Sequence, residues 1–224
     1  MSQETTVKIV CKECGHENDV TISIGIIAQQ EPDKFIDLLN GKLFLFECAG
    51  CGKKGHLNHD LIYHDTVHRA LVHYVVSEES RAKAYDAIAK LTDPDGENPL
   101  PSDYAIRVVT SQNALREKAL LFSYGLDDRI MEVIKGLSVI NAKKDHPDLQ
   151  VAEALFLTQN GRWMLQLLGS KQLTAEISMM KYDELRRRLG DAVEGTEIIK
   201  NVVDADWALR ALNSPLANKN VPKG

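Results

Sequence analysis

The chain has 224 residues, of which 44% are apolar and 26% charged, with a formal net charge of -5. That length exceeds a zinc-only miniature and suffices for two modest domains, while the balance excludes wholesale disorder and fibrous repeats. A net negative chain offers no global positive field to phosphate backbones or anionic lipid, and no apolar run approaches the ~20 residues of a membrane-spanning helix.

The stretch from Met1 to Thr6 lacks the basic-then-apolar order of a signal peptide, so a cytoplasmic location is expected. Thiols stay reduced there, and four cysteines in two close pairs read as metal ligands rather than a disulfide framework.

In chain order, alternation predicts a short strand over residues 7–10, ending in the turn Cys11-Lys12-Glu13-Cys14-Gly15-His16, and a second strand over 19–24. Pro32 opens a short helix that Asn40-Gly41 stops. A strand over 43–46 runs into Cys48-Ala49-Gly50-Cys51-Gly52, and residues 53–58 return from it. The β-branched and aromatic residues of 67–76 predict a further strand, and 78–91 a helix.

Pro94, Gly96, Pro99 and Pro101 in a polar run continue neither helix nor central strand, which places a linker at 92–101. The expected organisation is a metal-binding domain over 1–91, a second domain over 102–213 and a flexible tail over 214–224. The second domain reads as a strand at 104–109, helices at 113–122 and 127–140, and a hairpin of 154–159 with 162–168 around Asn160-Gly161. A strand at 173–178 and helices at 182–189 and 204–212 complete it. Arg186, Arg187 and Arg188 spread around a helix and read as solvated surface.

Zinc favours four thiolates at ~2.3 Å in a tetrahedron, and two residues between cysteines let one turn aim both sulfurs at one ion. Cys11 and Cys14 with Cys48 and Cys51 therefore read as two equivalent half-sites for one structural Zn2+. Gly15 and Gly52 suit a backbone that must curl behind each pair. The 33 residues between Cys14 and Cys48 exceed simple ribbon spacing, and the helix at Pro32 accounts for the excess. A closed sulfur shell leaves no position for water, and pairs lying between strands lack the helix N-terminus that a redox dithiol uses.

With these elements in place the sequence resembles the CpXC family. The resemblance rests on the two cysteine turns, on Gly41-Lys42-Leu43-Phe44, on Leu61-Ile62-Tyr63-His64-Asp65, and on Arg107 to Ser111. It also takes in Leu115-Arg116-Glu117-Lys118 and Gly125-Leu126-Asp127-Asp128-Arg129, so it covers at least residues 5–135. Lys12 and Ala49 stand where that family often has proline. The resemblance implies a zinc-ribbon-like domain and no particular activity. The fold class expected is α+β: an N-terminal zinc-ribbon-like β domain with a helical insertion, then an α+β domain with a β-hairpin.

His56, His59, His64, His68 and His73 cluster after the second pair, and His64-Asp65-Thr66-Val67-His68 matches H-E-x-x-H with aspartate for glutamate. On the strand expected there, His64 and His68 would stand ~13 Å apart, too far for one ion. Asp127 and Asp128 read as helix-capping carboxylates rather than an acid and base pair. No phosphate loop or nucleophile elbow appears.

These readings favour a zinc-stabilised interaction or assembly module whose partner is another protein or a second copy, with no catalytic residues assigned. The alternatives are a metal-dependent enzyme using His64 to His73 and a ribbon that binds nucleic acid. Seven Lys or Arg against ten Asp or Glu in the first 76 residues disfavour the latter.

Overall fold

A computed structural model describes residues 3–217. The alternation around the first cysteine turn extends further than expected: β1 (Gln3–Val10) and β2 (Glu17–Ile27) pair antiparallel, from Val10 opposite Glu17 to Gln3 opposite Gly25. α1 (Pro32–Leu39) starts on its proline and ends where the Asn40 amide closes on the Ile36 carbonyl and the Gly41 amide on that of Leu38, with Gly41 at φ 71. Its last carbonyl, Leu39, accepts from Nε and Nη2 of Arg116 at 2.8 and 2.6 Å, which satisfies an orphan of the helix end.

Residues 42–44, the last two of them expected in a strand, form a 3-10 turn that drops Phe44 into the interior at 0% exposure. The strand begins only at β3 (Leu45–Glu47), which pairs with β4 (Lys54–His56). β5 (Leu61–Asp65) then lies parallel to β2 and antiparallel to β6 (Ala70–Tyr74). The strand expected over 67–76 is thus shorter, β6 alone, entered by a tight turn at 66–69 that leaves Val67 at 66% exposure. The turn forms because the Asp65 carboxylate accepts the amides of Val67 and His68 at 3.0 and 2.9 Å, a local bond that competes with continued pairing.

α2 (Glu78–Thr92) is capped by Ser77, whose hydroxyl accepts from the Ser80 amide. The segment expected as a linker does not divide the chain. It folds back on itself, with the Leu100 amide on the Leu91 carbonyl, and delivers β7 (Ala105–Val109) parallel to β6. The five strands run in the order β1-β2-β5-β6-β7. α2 packs Ala84 and Ile88 on one face, against Leu71, Ile106 and Val108. On the other face lies Tyr63, fully buried, with its ring 5.8 Å from Phe35 of α1. The Tyr63 hydroxyl reaches the Ala119 carbonyl of α3 (Gln112–Ser123).

The chain divides into compact units at Met1–Ala119 and Leu120–Gly224, inside α3 rather than at 92–101. Pro and Gly mark a break in regular structure; pairing of β7 with β6 decides to which unit the following residues belong. The first unit therefore carries helices as well as strands and is more than a β domain with one insertion.

The second unit opens on α4 (Asp128–Asp145), capped by Asp127. β8 (Val151–Gln159) and β9 (Arg162–Gly169) form the expected hairpin, with Asn160 at φ 52 and Gly161 at φ 74. β10 (Leu173–Glu176) adds on the far side of β9. α5 (Met179–Glu194) and α6 (Ala205–Leu212) join α4 over a core that includes Met131, Phe156, Leu165, Leu185 and Trp207. Arg186, Arg187 and Arg188 are exposed between buried Leu185 and Leu189, as expected of a solvated face. The expected flexible tail is turn structure at its start: residues 214–217 bury Ala217, and 218–224 lie outside the described residues. The fold class is mixed α+β, and among the described residues no helix is long and apolar enough to cross a membrane.

Candidate metal centre

Each cysteine pair occupies the turn of a hairpin, Cys11 and Cys14 between β1 and β2, Cys48 and Cys51 between β3 and β4. The two turns share one backbone design. In the first, the Cys11 amide donates to the His16 carbonyl and the Gly15 amide to the Cys11 carbonyl; in the second, Cys48 donates to Lys53 and Gly52 to Cys48. Gly15 at φ 72 and Gly52 at φ 71 supply the left-handed residue that this curl requires.

The sulfurs converge. Cys11 Sγ lies 3.8 Å from Cys51 Sγ and Cys14 Sγ 3.7 Å from Cys48 Sγ, and all four lie within 4.8 Å of one another. An ion ~2.3 Å from each of four tetrahedral sulfurs sets neighbouring sulfurs about 3.8 Å apart, so the cage has the size that a metal-thiolate shell demands. A disulfide needs ~2.05 Å, and all four cysteines are free. Cys11 and Cys48 are buried and Cys14 and Cys51 exposed, so the cage opens on one side to solvent.

Electrostatics also favours a cation. Burial opposes ionisation of Cys48, but the amides of Cys51 and Gly50, the Asn18 side chain and the Cys11 thiol outweigh it and bring its pKa to about 6. Cys14 goes the other way, to about 12: the His16 amide favours its thiolate, yet the sulfurs of Cys51, Cys48 and Cys11 and partial burial disfavour it more. Four sulfurs this close ionise together only when a positive ion sits among them.

Asn18 joins the two turns, a role that its sequence neighbours do not announce. Buried at the start of β2, it donates through Nδ2 to the His16 carbonyl at 3.0 Å and to Cys48 Sγ at 3.6 Å. Its Oδ1 accepts the Ala49 amide at 2.8 Å. Nothing in the spacing of a single asparagine on an alternating strand signals such a brace; only the pairing of the two hairpins discloses it. Asn18→Ala is expected to strip the Ala49 amide of its acceptor and the Cys48 thiolate of a donor. The expected cost is about 1–3 kcal/mol of stability, with faster metal transfer to a competing chelator. Unchanged transfer kinetics would show the brace to be dispensable.

A second contact across the turns involves Gly50, where an added Cβ would sit 2.8 Å from His16 Cβ. The ion pair between Lys53 and Glu13 also spans them, but both side chains are more than half exposed and the pair contributes little.

The histidines do not converge. Among the described residues, the four cysteines are the one group of three or more His, Cys, Asp or Glu with ligand atoms gathered on a point. His56 lies exposed on β4, and His59 packs its ring 5.1 Å from Phe44. His64 Nε2 meets the Tyr104 hydroxyl at 3.1 Å, and His73 is buried on β6. His68 is held at the turn, with Nδ1 2.9 Å from Asp65 Oδ2.

Asp65 is the hub there, 1% exposed and also accepting from Gln29 Nε2 at 2.6 Å. Burial would raise its pKa, but the amide and ring of His68 and the Gln29 side chain prevail and hold it below the usual carboxylate range. A depressed folded pKa contributes stability above the ordinary carboxylate range and loses it as pH falls through the folded value. Asp65→Asn is accordingly expected to cost about 2 kcal/mol at neutral pH in urea unfolding. The gap from wild type should close on acidification, and a gap constant with pH would exclude the ionised hub.

Asp127 caps α4, accepting from the Arg129 amide at 2.9 Å and pairing with its guanidinium at 2.7 Å. Asp128 beside it is buried at 1% exposure, which its place in the first helical turn did not announce. Glu132 and Lys135 form an ion pair of 2.9 Å on the buried side of the same helix.

No curated protein and no solved structure matches the chain. The family model described as CpXC protein matches residues 9–135, from just before Cys11 through both cysteine turns and into α4. That span is more than half of the chain, and the protein belongs to the CpXC family.

Proposed function

We propose that this chain is a zinc-stabilised protein whose two cysteine turns form a zinc-ribbon-like knuckle, and that it serves as an interaction or assembly module rather than by a reaction of its own. The observation that carries the reading is the four-sulfur cage, with sulfur separations of 3.7 and 3.8 Å that match a tetrahedral thiolate shell. Soft thiolates in such a shell select zinc or iron over harder ions, and zinc adds no redox chemistry. A shell closed by four cysteines has no position for substrate or activated water, which assigns the ion to holding the fold.

In this role Cys11, Cys14, Cys48 and Cys51 bind the metal, and the chain works in a reducing compartment such as the cytoplasm. The test is metal analysis of the purified chain with partner capture on the same sample. One zinc per chain, removed by a thiol-reactive reagent together with the captured partner, is the expected result. Two ions per chain, or binding indifferent to metal removal, would refute the reading.

A further inference from the structure

The five-stranded sheet ends on β1, and among the described residues no strand pairs with its outer edge. β1 is long for an edge, 8 residues, and exposed along nearly its whole length. Its inner bonds are fixed by the hairpin: the Cys11 amide donates to His16, and the register continues with Ile9 opposite Asn18, Val7 opposite Val20 and Thr5 opposite Ile22. In an antiparallel ladder, hydrogen-bonded and non-bonded pairs alternate, so these odd residues turn their N–H and C=O inward. The even residues Glu4, Thr6, Lys8 and Val10 therefore present theirs to the open edge.

We infer that this edge pairs with β1 of a second copy of the chain, antiparallel about a two-fold axis through Thr6. This deepens the assembly reading above, on which it rests, by naming the partner. A two-fold contact must be self-complementary, and one register alone sets the opposite charges of this strand against each other. With Thr6 opposite its own copy, Glu4 of each chain falls opposite Lys8 of the other. Shifting the axis to Glu4 or to Lys8 would set like charges face to face, which destabilises.

The matched register also suits the hydrogen bonds, because it opposes even residues to even residues. Three such pairs, each exchanging two bonds, give about six main-chain bonds across the axis.

The exposed face of β1 carries rows that the second copy would continue. Thr6 Oγ1 lies 3.5 Å from Thr21 Oγ1, so the axis would run through a row of four threonines. Lys8 stands opposite Asp19 within the hairpin and would gain Glu4 of the other copy. Glu4 is paired with Lys34 at 2.6 Å, and with its side chain 47% exposed it has oxygen to share. A lysine on an edge strand ordinarily discourages indiscriminate pairing. Here that charge admits one partner, the strand bearing a glutamate four residues before it.

The test is sedimentation of the full, metal-loaded chain across the micromolar range, with zinc measured on each sample. Wild type is expected at twice the chain's mass. Lys8→Glu should weaken the dimer by about tenfold, since both symmetry-related pairs become repulsive, and Glu4→Lys/Lys8→Glu together should restore it. Thr6→Pro removes an N–H that faces outward, so it is expected to give a folded, zinc-bound monomer. A wild-type chain that is monomeric while holding zinc overturns the pairing and leaves the metal reading standing. A dimer untouched by Lys8→Glu and by Thr6→Pro overturns the pairing too. A chain that holds no zinc yet dimerises through these residues upholds the pairing and sinks the metal reading.

Discussion

Cys48→Ser is expected to leave the purified chain without metal and to unfold the first unit around the two cysteine turns. The serine hydroxyl remains neutral at physiological pH and is a poor ligand for a soft site, so the shell loses a charge as well as a bond. The position is unforgiving, because Cys48 is 1% exposed and is the sulfur that Asn18 Nδ2 approaches at 3.6 Å. Structural zinc in such sites contributes about 10–16 kcal/mol of binding free energy near neutral pH, comparable with or larger than the ~5–15 kcal/mol by which whole domains are stable.

Hairpins of this kind have little else to rely on. β3 and β4 are three residues each, and β1 buries none of its residues. Hydrogen exchange should lose protection from β1 through β4 while the β8–β9 hairpin keeps it. Cys11→Ser, at the equivalent position of the other turn, should behave alike. Retention of one zinc with unchanged melting in either variant would rule out the four-cysteine site.

Local chemistry made parts of this legible before any coordinates. The cysteine turns, Pro32 with Asn40-Gly41, Asp127 before α4 and Asn160-Gly161 each carry their instruction in a few adjacent residues. The structure follows each of them. What stayed hidden depends on partners distant in sequence. Polar composition at 92–101 looks like a domain boundary until Ala105–Val109 is seen beside Ala70–Tyr74. The strand pattern of 67–76 conceals a turn because its cause, the Asp65 carboxylate, lies just before it and serves Gln29 from far away as well. Asn18 belongs to the same class, one polar residue among alternating ones until a second hairpin is set against it. The histidine cluster illustrates the reverse error, where proximity in sequence suggests a site and the strands distribute its members to separate surroundings.

Trp207→Ala is expected to destabilise the second unit by about 3–5 kcal/mol, the range for emptying a buried aromatic site. Trp207 is fully buried on α6 and belongs to the core cluster of Ile130, Met131, Leu185 and Ala208. Its backbone is also tied into the helix start, where its amide donates to the Asp204 carboxylate at 3.0 Å. That cap is a main-chain bond and survives the substitution, so the loss should come from the cavity alone. The indole offers a sharper comparison, because its buried Nε1 has no hydrogen-bond partner among the described residues. Leaving a donor unsatisfied costs about 1–3 kcal/mol, a penalty that the folded chain carries if the indole stays without a partner. Trp207→Phe removes that donor along with part of the ring, and the relief offsets much of the lost packing. Urea unfolding should therefore place Trp207→Phe within about 1–2 kcal/mol of wild type and far above Trp207→Ala. Equal losses in the two variants would mean that the indole N–H is satisfied in solution and that its apparent isolation has no energetic weight.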